Sequence, residues 1–265
     1  MKPSGIITSR RNALVEELRS LREDRESSFL FLEGPRLVKE ALQSGQKIDT
    51  LIWVSSEDNQ EVLSAASPGS RRAYQVSESV FKALSDVESP QGLLAIISRP
   101  KWEWKNLLSR APLPIVILDG IQDPGNLATI IRTAEAAGAS GVVTTPGTAR
   151  LYSPKALRGA MGSTLRLPCL ELQSISEIHR ELNKASYQIY AASMKSTQKT
   201  SIAYTSIDWK KPVALLLGRE GSGFLPEWNP LIGSWLHIPM RPPVESLNVA
   251  AAAAILLYEF ARHNS

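Results

Sequence analysis

Asp119–Gly141, DGIQDPGNLATIIRTAEAAGASG, reads as a turn followed by a helix, and the apolar run Ile115–Leu118 directly before it reads as a strand. Asp123-Pro124-Gly125 favour chain reversal, and Asn126 stands at the N-cap position of the helix. Leu127, Ile130, Ile131, Ala134 and Ala137 recur at helical spacing on one face, and Gly138 ends the helix. Arg132 then points about 160° from the centre of that face, outward. Two later segments repeat the pattern: Gly218–Phe224 (GREGSGF) after the apolar run Val213–Leu217, and Ile238–Asn248 (IPMRPPVESLN) after Leu236–Ile238. A strand that ends in small residues lets backbone N–H and C=O groups approach a ligand. Three such turns point to one composite pocket.

The elements around them alternate. Leu127–Ala137, Pro154–Ala160, Ile175–Lys184 and about Glu245 to Arg262 read as helices. Ile115–Leu118, Val142–Thr145, Gln188–Ala192, Val213–Leu217 and Leu236–Ile238 read as strands. Helices between strands predict a mostly parallel sheet covered on both faces. The final helix, with Ala250–Ala254, is apolar all round, which predicts burial in the sheet or against another subunit. The first hundred residues form a smaller α/β series: helix Asn12–Leu21 with Leu14, Leu18 and Leu21 on one face, then strands at Phe29–Leu32, Thr50–Val54, Ala73–Val76 and Leu93–Ile97. Helices Pro35–Gln43, Glu61–Ala66 and Glu78–Leu84 lie between those strands. Pro100, Pro112 and Pro114 around Trp102 and Trp104 mark a linker. The expected organisation is a first domain at 1–98, a linker at 99–113 and a second domain at 114–265.

A chain of 265 residues, 43% of them hydrophobic, accommodates two cores. A net charge of +4 permits a polyanionic partner without requiring one. The single Cys169 excludes an intrachain disulfide, and His179, His237 and His263 lack metal-ligand spacing with it, so no metal is expected. No apolar run approaches the roughly 20 residues of a membrane span, and the N-terminus has no signal-peptide core. The expectation is a cytoplasmic protein without membrane attachment.

Read one residue at a time, each site candidate has two readings. Arg132 is a solvated surface residue or a phosphate contact, and Asn126 a plain cap or a site residue. Gly218, Gly221 and Gly223 around Glu220 make either an ordinary tight turn or a ligand loop. They match neither a P-loop nor G-x-G-x-x-G. Ser246 and Asn248 start a helix or supply hydroxyl and amide contacts. Arg10, Arg11, Arg19, Arg22 and Arg25, mixed with five acids, form a solvated helix laced with i,i+4 pairs or a phosphate-contacting face.

The three motifs in this order resemble those of the SpoU/TrmH branch of the SPOUT methyltransferases. Ser28–Leu42 (SFLFLEGPRLVKEAL) and Ser89–Ile96 (SPQGLLAI) resemble the L30e-like RNA-binding domain that often precedes that catalytic domain. The resemblance implies a mostly parallel α/β/α SPOUT domain with a C-terminal trefoil knot, a homodimer, and 2′-O-ribose methylation of RNA with S-adenosylmethionine, 23S rRNA being the expected target. It assigns Asn126, Arg132, Glu220, Ser246 and Asn248 to catalysis. Leu217, Gly218, Glu220, Gly221, Gly223, Ile238, Met240, Ser246 and Leu247 fall to the cofactor, and Arg36 and Lys39, with Arg10 and Arg11, to RNA. Two positions depart from the family pattern: Pro242 and Pro243 follow Arg241 where a Gly is usual, and Ala250 stands where a Ser is usual. They motivate a rival, an RNA-binding or ribosome-assembly protein with a degenerate methyltransferase domain. A Rossmann-type nucleotide enzyme built on Gly218–Gly223 ranks below both, because the next strand offers Leu236–Pro239 in place of an acidic ribose ligand.

Overall fold

Short apolar runs separated by capping residues become strands and helices in the computed structural model, which describes residues 5–24, 27–193, 201–219 and 223–264. The chain divides into two units, Met1–Lys101 and Trp102–Ser265. In the first, α1 (Ala13–Glu23) starts at Asn12, whose Oδ1 accepts from Leu14 N at 3.0 Å. Then come β1 (Phe29–Glu33), α2 (Pro35–Gln43), β2 (Ile48–Trp53), α3 (Gln60–Ala66), β3 (Arg72–Gln75), α4 (Glu78–Leu84) and β4 (Leu93–Ser98). The sheet order is β1-β4-β2-β3, with β4 antiparallel to both its neighbours and β2 parallel to β3. Val15, Leu18, Ile52, Val80, Phe81 and Ile96 fill its core. The charges of α1 pair with other elements instead of lacing the helix. Arg22 reaches Asp86 at 2.8 Å and Glu33 at 3.5 Å, while Glu17 meets Arg72 at 3.1 Å. Arg22 is largely buried, where attraction to a facing carboxylate is screened less than along an exposed helix.

The second unit contains α5 (Trp104–Leu108), β5 (Ile115–Leu118), α6 (Pro124–Ala136), β6 (Gly141–Thr144), α7 (Pro154–Ala160), α8 (Ser163–Arg166), β7 (Cys169–Leu170), α9 (Ile175–Lys184), β8 (Gln188–Ser193), β9 (Ser201–Ala203), β10 (Val213–Leu217), β11 (Ser234–His237) and α10 (Val249–Asn264). All neighbours in the sheet, order β7-β6-β5-β10-β8-β11-β9, run parallel. Alternate residues of the central strands feed opposite cores. Val116, Leu118, Val213, Leu215 and Leu217 meet α6 and α10 on one face. Ile115, Ile117, Ala214 and Leu216 meet Ile178 and Leu182 of α9 on the other. Unbroken apolar runs at 115–118 and 213–217 are what burial on both faces demands.

Two expectations need correction. The stretch 99–113 is not a plain linker. Its Glu103 N donates to Asn106 Oδ1 at 2.8 Å to start α5, and Leu107 is fully buried in the second core. Its prolines and tryptophans hide a capping signal that is legible only once Leu107 has a core to enter. The last helix starts at Val249, not Glu245, because Asn248 Oδ1 accepts from Ala250 N at 2.9 Å and Ala251 N at 3.3 Å. Within one copy of the chain that helix is buried on one face. Ala251 and Tyr258 are exposed, Tyr258 by 56%, while Val249, Ala253, Leu256, Leu257 and Phe260 pack inward.

α6 and α7 cross closely: a Cβ on Gly159 would stand 2.8 Å from Cβ of Ala128. Gly159→Ala is expected to lower stability by about 1–3 kcal/mol, seen as a lower urea midpoint. Adding Ala128→Gly should recover part of that loss, since the two sites share one contact.

Candidate active site

The strand order decides where a ligand can lie. The connection after β5 leads to β6 on one side, and the connection after β10 leads past β8 to β11 on the other. Neighbouring strands whose connections diverge leave a crevice beyond their carboxyl ends. The first motif follows β5, the second follows β10 and the third follows β11.

One buried carboxylate ties these ends together. Asp119 N donates to Leu217 O at 2.9 Å, extending the β5–β10 pairing by one residue. Asp119 Oδ1 accepts from Thr145 Oγ1 at 2.6 Å, and Oδ2 accepts from Leu225 N at 3.0 Å. The end of β6 and the return of the glycine-rich turn are therefore held by the residue that opens the first motif. Thr148 Oγ1 adds a clasp, accepting from Gly120 N and donating to Leu118 O, both at 3.0 Å.

The first motif differs from its sequence reading in its cap. Asp123, not Asn126, caps α6: its Oδ1 accepts from Asn126 N at 2.8 Å, with Pro124 at the first helical position. Proline there presets φ and gives up an N–H that has no helical partner. Asn126 is thereby moved into the first turn, and its side chain is released from capping. Its Oδ1 accepts from Asn248 Nδ2 at 3.1 Å, across 122 residues of chain. Asn248 thus caps α10 with its oxygen and joins the first motif with its nitrogen. Arg132 is exposed on α6, opposite Leu127, Ile130, Ile131 and Ala134, which are all buried. The Asn126 N–H foremost, with Lys155 at 3.4 Å adding its charge, holds the Asp123 carboxyl below its ordinary range.

In the second motif, Leu217 is buried and its carbonyl already accepts from Asp119. Gly218 is required by packing, because a Cβ there would meet the Phe224 ring at 2.6 Å. Gly223 adopts φ 73°, and its carbonyl accepts from Arg219 N at 3.2 Å to close the turn. Glu220 and Gly221 lie outside the described residues. In the third motif, Ile238, Met240 and Leu247 are half-buried and Ser246 is exposed. Pro242 and Pro243 are accommodated in a turn closed by Val244 N donating to Arg241 O at 3.2 Å. Ala250, where the resembled family favours Ser, is buried in the core between the sheet and helices α6 and α10.

In the first unit, Arg11 and Arg36 are exposed, Arg10 Nε donates to Ser79 O at 3.1 Å, and Lys39 pairs with Glu61 at 3.0 Å. Sequence reasoning missed Asp119, Thr145, Thr148 and Arg219. The available signal was an acidic residue directly after a fully apolar strand, a position where a carboxylate must find partners or stay out of the core.

Comparison with known proteins places both units. Residues 114–258 match the model of the SpoU rRNA Methylase family, and residues 12–95 match the MRM3-like substrate binding domain. The 23S rRNA (guanosine(2553)-2′-O)-methyltransferase of Bacillus subtilis is 32% identical over 255 residues, covering 95% of this chain and 97% of that one. The 23S rRNA (uridine(2479)-2′-O)-methyltransferase of Streptomyces viridochromogenes is 28% identical, covering 97% and 91%. The crystal structure of an AdoMet-bound rRNA methyltransferase from Sinorhizobium meliloti superposes with a TM-score of 0.83 at 32% identity, covering 98% of each chain.

Asp119→Ala leaves the Leu225 N–H and the Thr145 hydroxyl without their acceptor, at a cost of about 1–3 kcal/mol each. Faster hydrogen exchange at the Leu225 amide is the expected signature. Asp123→Asn keeps a cap and removes a titration. The depressed native carboxyl stabilises the fold at neutral pH, and that contribution fades as pH falls through and below the usual carboxylate range. The wild type's advantage over the variant should therefore shrink between about pH 7 and about pH 3, read as the difference in urea midpoints.

Proposed function

This chain belongs to the SpoU rRNA Methylase family, and on that premise we propose that it methylates a ribose 2′-hydroxyl of 23S rRNA as a cytoplasmic homodimer. Family membership makes it an RNA methyltransferase with S-adenosylmethionine as its cofactor. The observation that carries the finer reading is the Asn248–Asn126 hydrogen bond, which brings the first and third motifs to one crevice in which Asp119 already fixes the second. The two 23S rRNA enzymes that align over nearly the whole chain modify different nucleotides but the same ribose position. This favours the 2′-hydroxyl of 23S rRNA as the shared chemistry.

The residues present fit the cofactor. Half-buried Ile238, Met240 and Leu247 offer apolar surface for a purine face, next to the third-motif backbone for its polar edge. When bound, S-adenosylmethionine supplies a methyl group on a sulfonium. Arg132 binds the phosphate beside the target ribose, for which its planar fork is suited. A guanidinium carries five N–H donors and no acceptor, so its assigned role is orientation. Asn126 and Asn248 hold each other and present amides to the ribose, while Ser246 offers a hydroxyl. Glu220 and Gly221 complete the cofactor loop in this reading, as do Leu217, Gly218 and Gly223. Positioning of this kind is worth several orders of magnitude in rate. Arg10, Arg11, Arg36 and Lys39 on the first unit contact RNA, and the exposed Tyr258 of α10 and Val244 form part of the face that meets a second copy.

No helix of the described residues is long and apolar enough to cross a membrane. Arg132→Ala is expected to lower kcat by about 100-fold or more with cofactor affinity unchanged, and Arg132→Lys should not restore it. Wild-type activity in Arg132→Lys would remove the bidentate role. Mapping ribose methylation in 23S rRNA from a strain lacking the gene should show one lost modification. An intact map, together with no cofactor binding by calorimetry, would favour the assembly-protein rival.

A further inference from the structure

We infer that Arg219 grips a phosphodiester of the RNA substrate beside the target ribose, an inference that rests on the methyltransferase reading above. Arg219 follows β10 directly, and its side chain runs toward β5 and β6. A Cβ on Gly120, two residues past β5, would stand 2.1 Å from Arg219 Nε and 2.9 Å from Cγ and Cζ. A Cβ on Gly147, beyond the end of β6, would stand 3.1 Å from Nη2. Both glycines adopt left-handed backbone, φ 67° and φ 88°. Gly120 leaves open the space that the Arg219 side chain occupies, and Gly147 borders its tip.

Among the described residues the cation in this slot has no counter-ion. Arg219 Nε is buried without a hydrogen-bond partner, and among the described residues Arg219 forms no ion pair. The acid adjacent to Gly120 does not serve it, since Asp119 accepts from Thr145 with one oxygen and from Leu225 with the other. A guanidinium without an acid partner keeps its terminal N–H donors available for the oxygens of a ligand. Gly147 is exposed and Arg219 half-buried, so a polyanion can reach the fork. The main chain that carries Arg219 is anchored. Arg219 N donates to Gly223 O, and the same turn is fastened at Leu225.

Two anions take part in the reaction, an RNA phosphate and the carboxylate of the cofactor's methionine moiety. The sheet order favours the phosphate. With strands about 4.8 Å apart, the guanidinium lies one to two strands from β10 on the side of the first motif. The third-motif residues Ile238 and Met240 follow β11, two strands away on the opposite side. The Arg219 side chain therefore reaches toward the ends of β5 and β6, away from Ile238 and Met240. Guanidinium geometry matches two phosphate oxygens at once.

The test compares wild type, Arg219→Ala and Arg219→Lys, using an unmodified 23S rRNA transcript as probe. It measures RNA affinity across a series of KCl concentrations, KM for the transcript, and cofactor affinity by calorimetry. Arg219→Ala is expected to weaken RNA binding roughly tenfold and to reduce the slope of log K against log salt by roughly 0.7–0.9, one phosphate's worth of released counterion. Cofactor affinity stays at the wild-type value in that variant, which also reports that the turn is folded. Arg219→Lys keeps the slope while recovering only part of the affinity. Wild-type RNA affinity and slope in Arg219→Ala overturn the proposal, and so does a loss of cofactor affinity with RNA binding intact, which would assign the slot to the carboxylate. Should the wild type itself bind no cofactor, the methyltransferase reading falls, an outcome distinct from any difference among the three proteins.

Discussion

The second unit depends on one carboxylate. Asp119 is buried at the end of β5, and its main-chain N–H and both side-chain oxygens bind three different segments of chain. A buried carboxyl group is tolerated only when its oxygens are hydrogen-bonded, and here bonds of 2.6 and 3.0 Å use both of them. The consequence reaches beyond stability. The described ends of the glycine-rich segment are held by backbone bonds, Arg219 with Gly223 and Leu225 with Asp119.

A parallel sheet buried on both faces has few places left for chemistry. The side chains of β5 and β10 are consumed alternately by the two cores, so only the strand ends and the loops beyond them are available. The ends of β5 and β10 are distinguished from the others by the divergence of their connections. The motifs collect there because the topology opens there. Asn248 shows how economically the residues are used: one amide side chain starts α10 with its oxygen and bridges to α6 with its nitrogen.

The first unit uses charge differently. Arg22, Arg72 and Lys39 pair with carboxylates of other elements, so the basic composition of its sequence overstates the free positive surface. Arg11 and Arg36 remain exposed. Net charge alone was a weak argument for a polyanionic partner, and the pairing explains why.

Much was legible in the sequence because it is written in local physics. The apolar runs 115–118 and 213–217, the helices at 35–43, 154–160 and 175–184, and the outward aim of Arg132 follow from periodicity, proline and capping chemistry. Helix α5 and the short strands β7 and β9 escaped, since two to five residues carry too little pattern to stand against a proline-rich or polar setting. The choice between Asp123 and Asn126 as cap turned on where Pro124 sits, and the start of α10 on which of several polar residues points back at the backbone. The bond from Asn126 to Asn248, the fastening of Leu225 by Asp119, and the space that Gly120 leaves for Arg219 are decided by tertiary structure alone. Each joins residues far apart in the chain, and nothing in local spacing encodes the parallel pairing that brings their strand ends side by side.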